Sequence, residues 1–205
     1  MVTFNYFGYL PTRFHSENED ILRVQKLIFD FKSGVRDAVY FASHMIINSF
    51  RHSYGSKAEQ FCFVCAPCST QAKYDRRFKM FSSILSSKLG GADASSHVHI
   101  IGYRESLHNT PNHLANEDNY RVVLDNDFFA GRKVIIFDDL MTTGTTSNRF
   151  ADMLTDAGAE VAGAMFLALT YHKGVSNDSD FFAKDYCCQY SNERVERYIN
   201  KRINK

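Results

Sequence analysis

One segment restricts the fold more than any other part of the chain. The apolar run Val134-Ile135-Ile136-Phe137 passes directly into two aspartates and then into a threonine-rich turn. The run is continuous rather than alternating, which is typical of a central parallel strand covered on both faces. After the turn, apolar residues recur at helical spacing over 150–157, and Gly158 provides a stop. This strand-turn-helix order predicts an α/β fold.

The rest of the chain continues the alternation of strands and helices, which favours a mostly parallel sheet. Residues 105–120 are polar and aperiodic, so we expect a long loop there, and loops of that length are often functional. The periodic segments predict helices over 21–32, 35–50 and 78–89 and near the C-terminus (Val195, Ile199, Ile203), and strands over 61–66, 97–102, 121–124, 133–137 and 160–170.

Composition narrows the class of protein. The chain has 205 residues, of which 44% are hydrophobic and 23% charged, so we expect a single globular domain over 1–205. A net charge of +1 gives no general attraction to nucleic acid or membranes. We find no secretory signal and no apolar stretch that could span a bilayer, and the five cysteines fit reduced thiols, so a cytoplasmic location is expected.

The turn after the central strand combines residue types that suit a phosphorylated sugar. Unpaired N–H groups at a helix N-terminus attract an anion, and Gly144 allows the backbone to approach it closely. Threonine hydroxyls add donors, while Asp138 and Asp139 can accept hydrogen bonds from a neighbouring polyol. The pattern therefore predicts a site for a pentose 5-phosphate. No nucleoside-triphosphate loop or dinucleotide-binding glycine motif is present in the sequence.

The segment from Val134 to Thr146 closely resembles the phosphoribosyl-pyrophosphate (PRPP) motif of type I phosphoribosyltransferases. The resemblance implies a parallel sheet of about five strands flanked by helices. It also implies a core over about 57–174 and a small hood from about 1–56 and 175–205. Asp138 and Asp139 are expected as catalytic residues that hold the ribose hydroxyls, with Mg²⁺ bound mainly through PRPP and no direct protein ligand. The expected 5-phosphate contacts are Thr142, Thr143, Gly144, Thr145 and Thr146.

The remaining parts of such a site can be sought at the family's usual places. Members clamp pyrophosphate with the loop after the first core strand and with a residue after the next strand. Tyr171, His172 and Lys173, just past the last predicted strand, are expected at the edge of the base-binding hood. The expected pyrophosphate contacts are Pro67, Cys68, Lys73, Arg76, Arg77 and Arg104.

The overall pattern looks most similar to the ComF-like branch of the family. Two departures argue against a DNA-uptake role: Arg77 is not followed by Gly-x-Asn-Gln, and no four-cysteine zinc module precedes the domain. Thr142 stands where oxopurine salvage enzymes carry an aspartate. The resemblance implies transfer of the phosphoribosyl group from PRPP to a nitrogenous base, with a homodimer common in the family. No general base is evident.

Other interpretations of the sequence stand beside that of a phosphoribosyltransferase. A PRPP-binding regulatory or competence-associated protein would keep the sugar site without catalysis. The basic and aromatic stretch 73–79 could contact nucleic acid, although the near-neutral chain argues against it. Cys62 and Cys65 have metal-ligand spacing, but in a strand their side chains point to opposite faces, so core packing is favoured.

Overall fold

The structure is a computed structural model that describes residues 2–104 and 119–170. It confirms an α/β fold with a parallel sheet flanked by helices. The helices are α1 (Glu19–Lys32), α2 (Arg36–Tyr54), α3 (Gln71–Leu89), α4 (Asn126–Phe129) and α5 (Thr145–Asp156), and the strands are β1 (Val2–Tyr9), β2 (Phe61–Cys65), β3 (Val98–Ile101), β4 (Arg121–Leu124), β5 (Lys133–Met141) and β6 (Glu160–Thr170).

The main sheet has the order β1-β6-β5-β2, and every pairing in it is parallel. In the described part of the chain this sheet has four strands, so the expectation of about five is corrected. The predicted strands β3 and β4 exist, but they pair antiparallel with each other in a separate ribbon. Because β5 lies between two neighbours and its apolar run is fully buried, its prediction as a central strand is confirmed.

The N-terminal segment departs from the predicted hood. Val2–Tyr9 is an edge strand that pairs parallel with β6 from Val2 to Tyr9. Its aromatic residues favour a strand, and Tyr6 and Phe7 are buried, so the segment is part of the sheet rather than a cover above it. The two helices that follow also pack directly on the core, because α1 contacts β1, β5 and α3 while α2 contacts α1 and α3.

The helix ends follow local rules. Asn18 caps α1 by accepting hydrogen bonds from the N–H groups of Asp20 and Ile21. Thr70 caps α3 by accepting from Lys73 N at 3.2 Å, and α3 ends as predicted at Gly90, which has φ +82°. Between α1 and α2, a Cβ on Gly34 would lie 2.5 Å from the carbonyl oxygen of Arg76, so only glycine permits this approach to α3.

An aromatic cluster fixes the last part of β5. Phe137 stacks on Phe81 of α3 with ring centroids 4.2 Å apart, and it meets Phe31 of α1 at 5.9 Å. Phe78 completes the group, and all four rings are fully buried. Since side chains alternate along a strand, Asp139 shares the face of Phe137 and emerges between α1 and α3. The aromatic cluster therefore lies beneath Asp139 on the same face of the sheet.

Several predictions fall on residues outside the described ranges. They concern Tyr171, His172 and Lys173, the C-terminal helix and most of the loop over 105–120. Within residues 2–104 and 119–170, no helix combines the length and apolar character that crossing a membrane requires.

Candidate functional site

The predicted site residues meet at the edge of the sheet where the parallel strands end. The loop after β2 joins the end of β5 through a hydrogen bond from Ala66 N to Phe137 O at 2.8 Å. The end of β6 reaches the same place, because the hydroxyls of Thr142 and Thr170 lie 3.2 Å apart. Ligands of open α/β sheets bind at this edge.

The threonine-rich turn forms the N-terminus of α5. Gly144 occupies the N-cap with φ +77°, a left-handed conformation that favours glycine. The hydroxyls of Thr143 and Thr145 lie 2.9 Å apart on the exposed side of the turn. As in any α-helix, the N–H groups of Thr145, Thr146 and Ser147 have no acceptor within the helix, and that of Thr145 donates to Thr143 Oγ1 at 3.4 Å. The turn presents backbone and hydroxyl donors suited to a phosphate.

Asp138 lies near the carboxyl end of β5, four residues before Thr142, and is half-buried. Its Oδ1 accepts a hydrogen bond from the backbone N–H of Asp139 at 2.8 Å. Burial raises the pKa of Asp138 to about 7, and the negative charge of Asp139 adds to the rise, while the cations Arg77 and Lys32 oppose it. Asp138 thus changes its charge near neutral pH, which is a property of many functional carboxyl groups.

Asp139 has a different environment, because it is only 2% exposed. Arg77 Nη1 lies 2.7 Å from its Oδ2, and Lys32 Nζ lies 3.8 Å from its Oδ1. Tyr9 faces the same carboxylate, and its pKa is raised by burial and then by the charge of Asp139. The sequence predicts that both aspartates hold the sugar, whereas in the structure Asp139 is enclosed by protein groups.

Arg77 is also placed differently from its predicted role in binding pyrophosphate. Its side chain is 18% exposed and its guanidinium pairs with Asp139 rather than facing solvent. Helical periodicity explains this, since Arg77 comes three residues after the buried Tyr74 and four before the buried Phe81, on the inward side of α3. Lys32 and Tyr9 were missed by the sequence interpretation, because neither belongs to a motif. A cation in the last turn of a helix gave only a generic signal.

The loop between β2 and α3 is held through its carbonyl groups. Arg104 Nη2 donates to Pro67 O at 3.1 Å, and Tyr120 Oη donates to Cys68 O at 2.8 Å. The guanidinium of Arg104 lies 5.0 Å from the centre of the Tyr120 ring. The structure thus brings Arg104, Pro67 and Cys68 together. The Cys68 thiol is buried, however, and burial raises its pKa to about 12, so it offers nothing to an anion.

The other predicted cations, Lys73 and Arg76, are exposed on the first turns of α3. Lys73 Nζ donates to Ser69 Oγ at 2.9 Å, which places its charge beside the loop after β2. These side chains and Arg104 are the predicted pyrophosphate groups that remain near the edge of the sheet without being paired to a carboxylate in the described part of the chain.

The cysteine pair behaves as a part of the core. Cys62 and Cys65 are buried in β2, and Cys62 Sγ donates to Ala92 O at 3.3 Å. Burial raises the pKa of both thiols, that of Cys62 to about 11. Over residues 2–104 and 119–170, no group of three or more histidine, cysteine or acidic side chains is arranged to hold a metal ion.

Comparison of the sequence with models of known protein families gives no match, and comparison with curated proteins gives no significant similarity. The assignment of function therefore depends on the residues of the site itself.

Proposed function

We propose that the carboxyl edge of the sheet binds PRPP and that the protein is a phosphoribosyltransferase, transferring the 5-phosphoribosyl group to a nitrogenous base with release of pyrophosphate. The observation that carries the proposal is the position of Asp138 near the carboxyl end of β5, four residues before the exposed donor turn at the N-terminus of α5. The ribose of PRPP needs groups that accept hydrogen bonds from its hydroxyls, and the neighbouring 5-phosphate needs groups that donate hydrogen bonds. Asp138 and the turn supply these two kinds of group in this order.

In this proposal the 5-phosphate occupies the turn from Thr142 to Thr146. The first-turn N–H groups and the helix dipole favour its negative charge, and the exposed hydroxyls of Thr143 and Thr145 add donors. Gly144 keeps the backbone accessible, because a Cβ placed there would have no neighbour nearer than 3.9 Å. The site therefore has room for a phosphate against the main chain.

With the phosphate in the turn, Asp138 contacts the ribose hydroxyls. As a carboxylate it accepts their hydrogen bonds and orients the ring, and it stabilises positive charge that develops on the sugar. The bond from C1 to the pyrophosphate oxygen breaks with its electron pair leaving on pyrophosphate, and a bond from C1 to the nitrogen of the base forms. The proton of that nitrogen passes to solvent, since no general base is assigned.

The departing pyrophosphate needs positive charge near C1. Arg104 and Lys73 flank the loop after β2, and Arg76 lies one turn further along α3. Mg²⁺ bound to PRPP supplies further neutralisation of the leaving group.

The proposal is tested by titrating the protein with PRPP and Mg²⁺ in a calorimeter, beside a pyrophosphate-release assay over a panel of purine and pyrimidine bases. We expect saturable binding and release with at least one base. Thr145→Val should weaken PRPP binding about tenfold by removing a charge-assisted hydrogen bond. Thr155→Val, on the same helix but remote from the turn, is the matched control. Absence of PRPP binding by the wild type would refute the proposal.

A second function is favoured by a specific observation. Arg77 is paired with Asp139 and the Cys68 thiol is buried, so two groups expected to grip pyrophosphate are occupied or inert. A regulatory protein that binds PRPP without turning it over needs no such grip. Tight PRPP binding without pyrophosphate release for any base would identify this alternative.

A further inference from the structure

We infer that Asp139, Arg77 and Lys32 form a positioning unit, in which Asp139 does not touch the sugar but sets, together with the two cations, the charge of Asp138. The inference rests on the proposed function for its consequence in ligand binding. It assigns to the second aspartate a role different from that of the first, although they are adjacent in sequence.

Asp139 is buried and is engaged by two protein cations instead of facing the ligand side. Its side chain is 3% exposed, and its two oxygens face Arg77 Nη1 at 2.7 Å and Lys32 Nζ at 3.8 Å. The pairs join β5 to α3 and α1. A sugar hydroxyl that reached Asp139 would have to displace a guanidinium whose side chain is itself only 18% exposed, and this would leave a buried charge without its partner.

Asp138 is coupled to this unit through the backbone and through charge. The N–H of Asp139 donates to Asp138 Oδ1 at 2.8 Å, so the Asp138 carboxyl is held against the backbone of the residue that carries the second carboxyl. The negative charge of Asp139 raises the pKa of Asp138, whereas Arg77 and Lys32 lower it. The two sides of one ion pair therefore act on Asp138 in opposite directions.

In the described part of the chain, three further groups near the pair are neutral at pH 7. Burial raises the pKa of Cys65 and Cys68, in β2 and the loop after it, and that of Tyr9, which faces Asp139 from β1. Arg104 keeps its charge, but its guanidinium is tied to the loop through Pro67 O. On β6, the register partner of Asp138 is the apolar Phe166. Beside burial, which is the main cause of the raised pKa of Asp138, the charges that shift this pKa are therefore those of the positioning unit.

The experiment follows the Asp138 carboxyl carbon by carbon-13 NMR across pH and, in parallel, the pH dependence of PRPP affinity. Arg77→Gln should move the titration midpoint up by about one pH unit or more, and Asp139→Asn should move it down by a similar amount. Lys32→Gln should move it up by less, because the lysine is farther away and more exposed. Arg77→Lys should restore most of the wild-type midpoint, and Lys79→Gln, an exposed change on α3, should leave it unchanged.

PRPP affinity should rise with pH through the same midpoint in each variant, because the ionised carboxylate accepts stronger hydrogen bonds from the sugar than the protonated acid does. Midpoints that do not move, or that move in one direction for both Arg77→Gln and Asp139→Asn, would overturn the inference. It would equally be overturned if Asp139→Asn alone abolished binding at a pH where Asp138 is ionised. If Asp139→Asn does not fold, the titration midpoints of Asp138 in Lys32→Gln and Arg77→Lys still test the inference.

The two proposals fail separately. Loss of the proposed function would show as a wild type that does not bind PRPP at any pH. The NMR midpoints need no ligand, so they would still support or overturn the positioning unit in that case.

Discussion

The two ends of β5 carry charges in opposite environments. At the amino end, Lys133 Nζ lies 3.7 Å from Glu160 Oε1, and the side chains are 47% and 64% exposed. At the carboxyl end, Asp139 pairs with Arg77 at 2.7 Å, and the side chains are 3% and 18% exposed. An exposed pair contributes at most about 1 kcal/mol, whereas a buried pair must offset the loss of hydration of two ions.

A fold alone does not require charges to be buried. The amino end shows that this strand can begin with a solvated pair, and the aromatic cluster of Phe31, Phe78, Phe81 and Phe137 shows that the same helices pack well with apolar groups. A carboxyl under those helices, with a second one next to it in the strand, raises the free energy of the folded state unless something compensates them. Such strained electrostatics concentrate at functional sites, which supports the proposed role of the carboxyl end.

The largest expected effect comes from breaking the buried pair. Asp139→Asn leaves the guanidinium of Arg77 buried without its counter-charge, so the free energy of unfolding should fall by about 3–5 kcal/mol. This fall in the free energy of unfolding is measured by urea unfolding at pH 8. The double variant Arg77→Met/Asp139→Leu should recover much of the loss, because it leaves no charge unpaired. A single variant as stable as the wild type would contradict the burial of this pair.

A smaller effect of opposite sign is expected for Asp138. Because its pKa is raised to about 7, the folded state binds the proton of Asp138 more tightly than the unfolded state does. The resulting stabilisation of the folded state is fully present below pH 4 and is lost as pH rises through 7. Asp138→Asn removes this titration, so it should stabilise the protein by about 1–3 kcal/mol at pH 8 and by almost nothing at pH 4. Thermal unfolding at both values measures the difference. The same change should weaken PRPP binding, and a variant destabilised at pH 8 would argue against the raised pKa.

The glycines on either side of β5 separate backbone strain from binding. Gly131 has φ +70° and Gly144 has φ +77°, and a Cβ on either meets no atom closer than 3.9 Å. Alanine at each position should cost about 1 kcal/mol of unfolding free energy through the left-handed backbone alone. Gly144→Ala should additionally reduce PRPP affinity, while Gly131→Ala should not. Equal affinity in both variants would place the phosphate elsewhere.

The smallest effect belongs to the solvated pair. Glu160→Gln should change the unfolding free energy by less than about 0.5 kcal/mol, and the change should shrink further in 0.5 M salt. Denaturation curves at low and high salt provide the measurement. A loss of 2 kcal/mol or more would mean that the two ends of β5 are not electrostatically distinct.

The sequence predicted helices and strands in segments where one hydrophobic period dominated. The run Val134–Phe137 and the helix after Gly144 were found because continuous apolar residues and a helical stripe leave few alternatives. β1 was missed although its aromatic residues favour a strand, because pairing with β6 joins segments more than 150 residues apart and leaves no local mark. The antiparallel pairing of β3 and β4 is likewise a tertiary choice.

The candidate site was predictable in its contiguous part and not in its long-range part. The turn from Thr142 to Thr146 is a local unit, so its place at a helix N-terminus followed from sequence order. The pairing of Asp139 with Arg77 depends on how α3 is rotated on the sheet, which only the packing of Phe78 and Phe81 decides. Because the sequence does not show this rotation, Asp138 and Asp139, which belong to one motif, were expected to have the same role.

The close approach of Gly102 and Asn119 has a consequence for how this protein can vary. A Cβ on Gly102 would lie 1.7 Å from Asn119 O, and the adjacent Arg104 and Tyr120 are tied to neighbouring carbonyls of one loop. Any side chain at position 102 would therefore push Asn119 away and pull on both of these ties. We expect evolution to keep glycine at this position as long as the antiparallel pairing of β3 with β4 is kept.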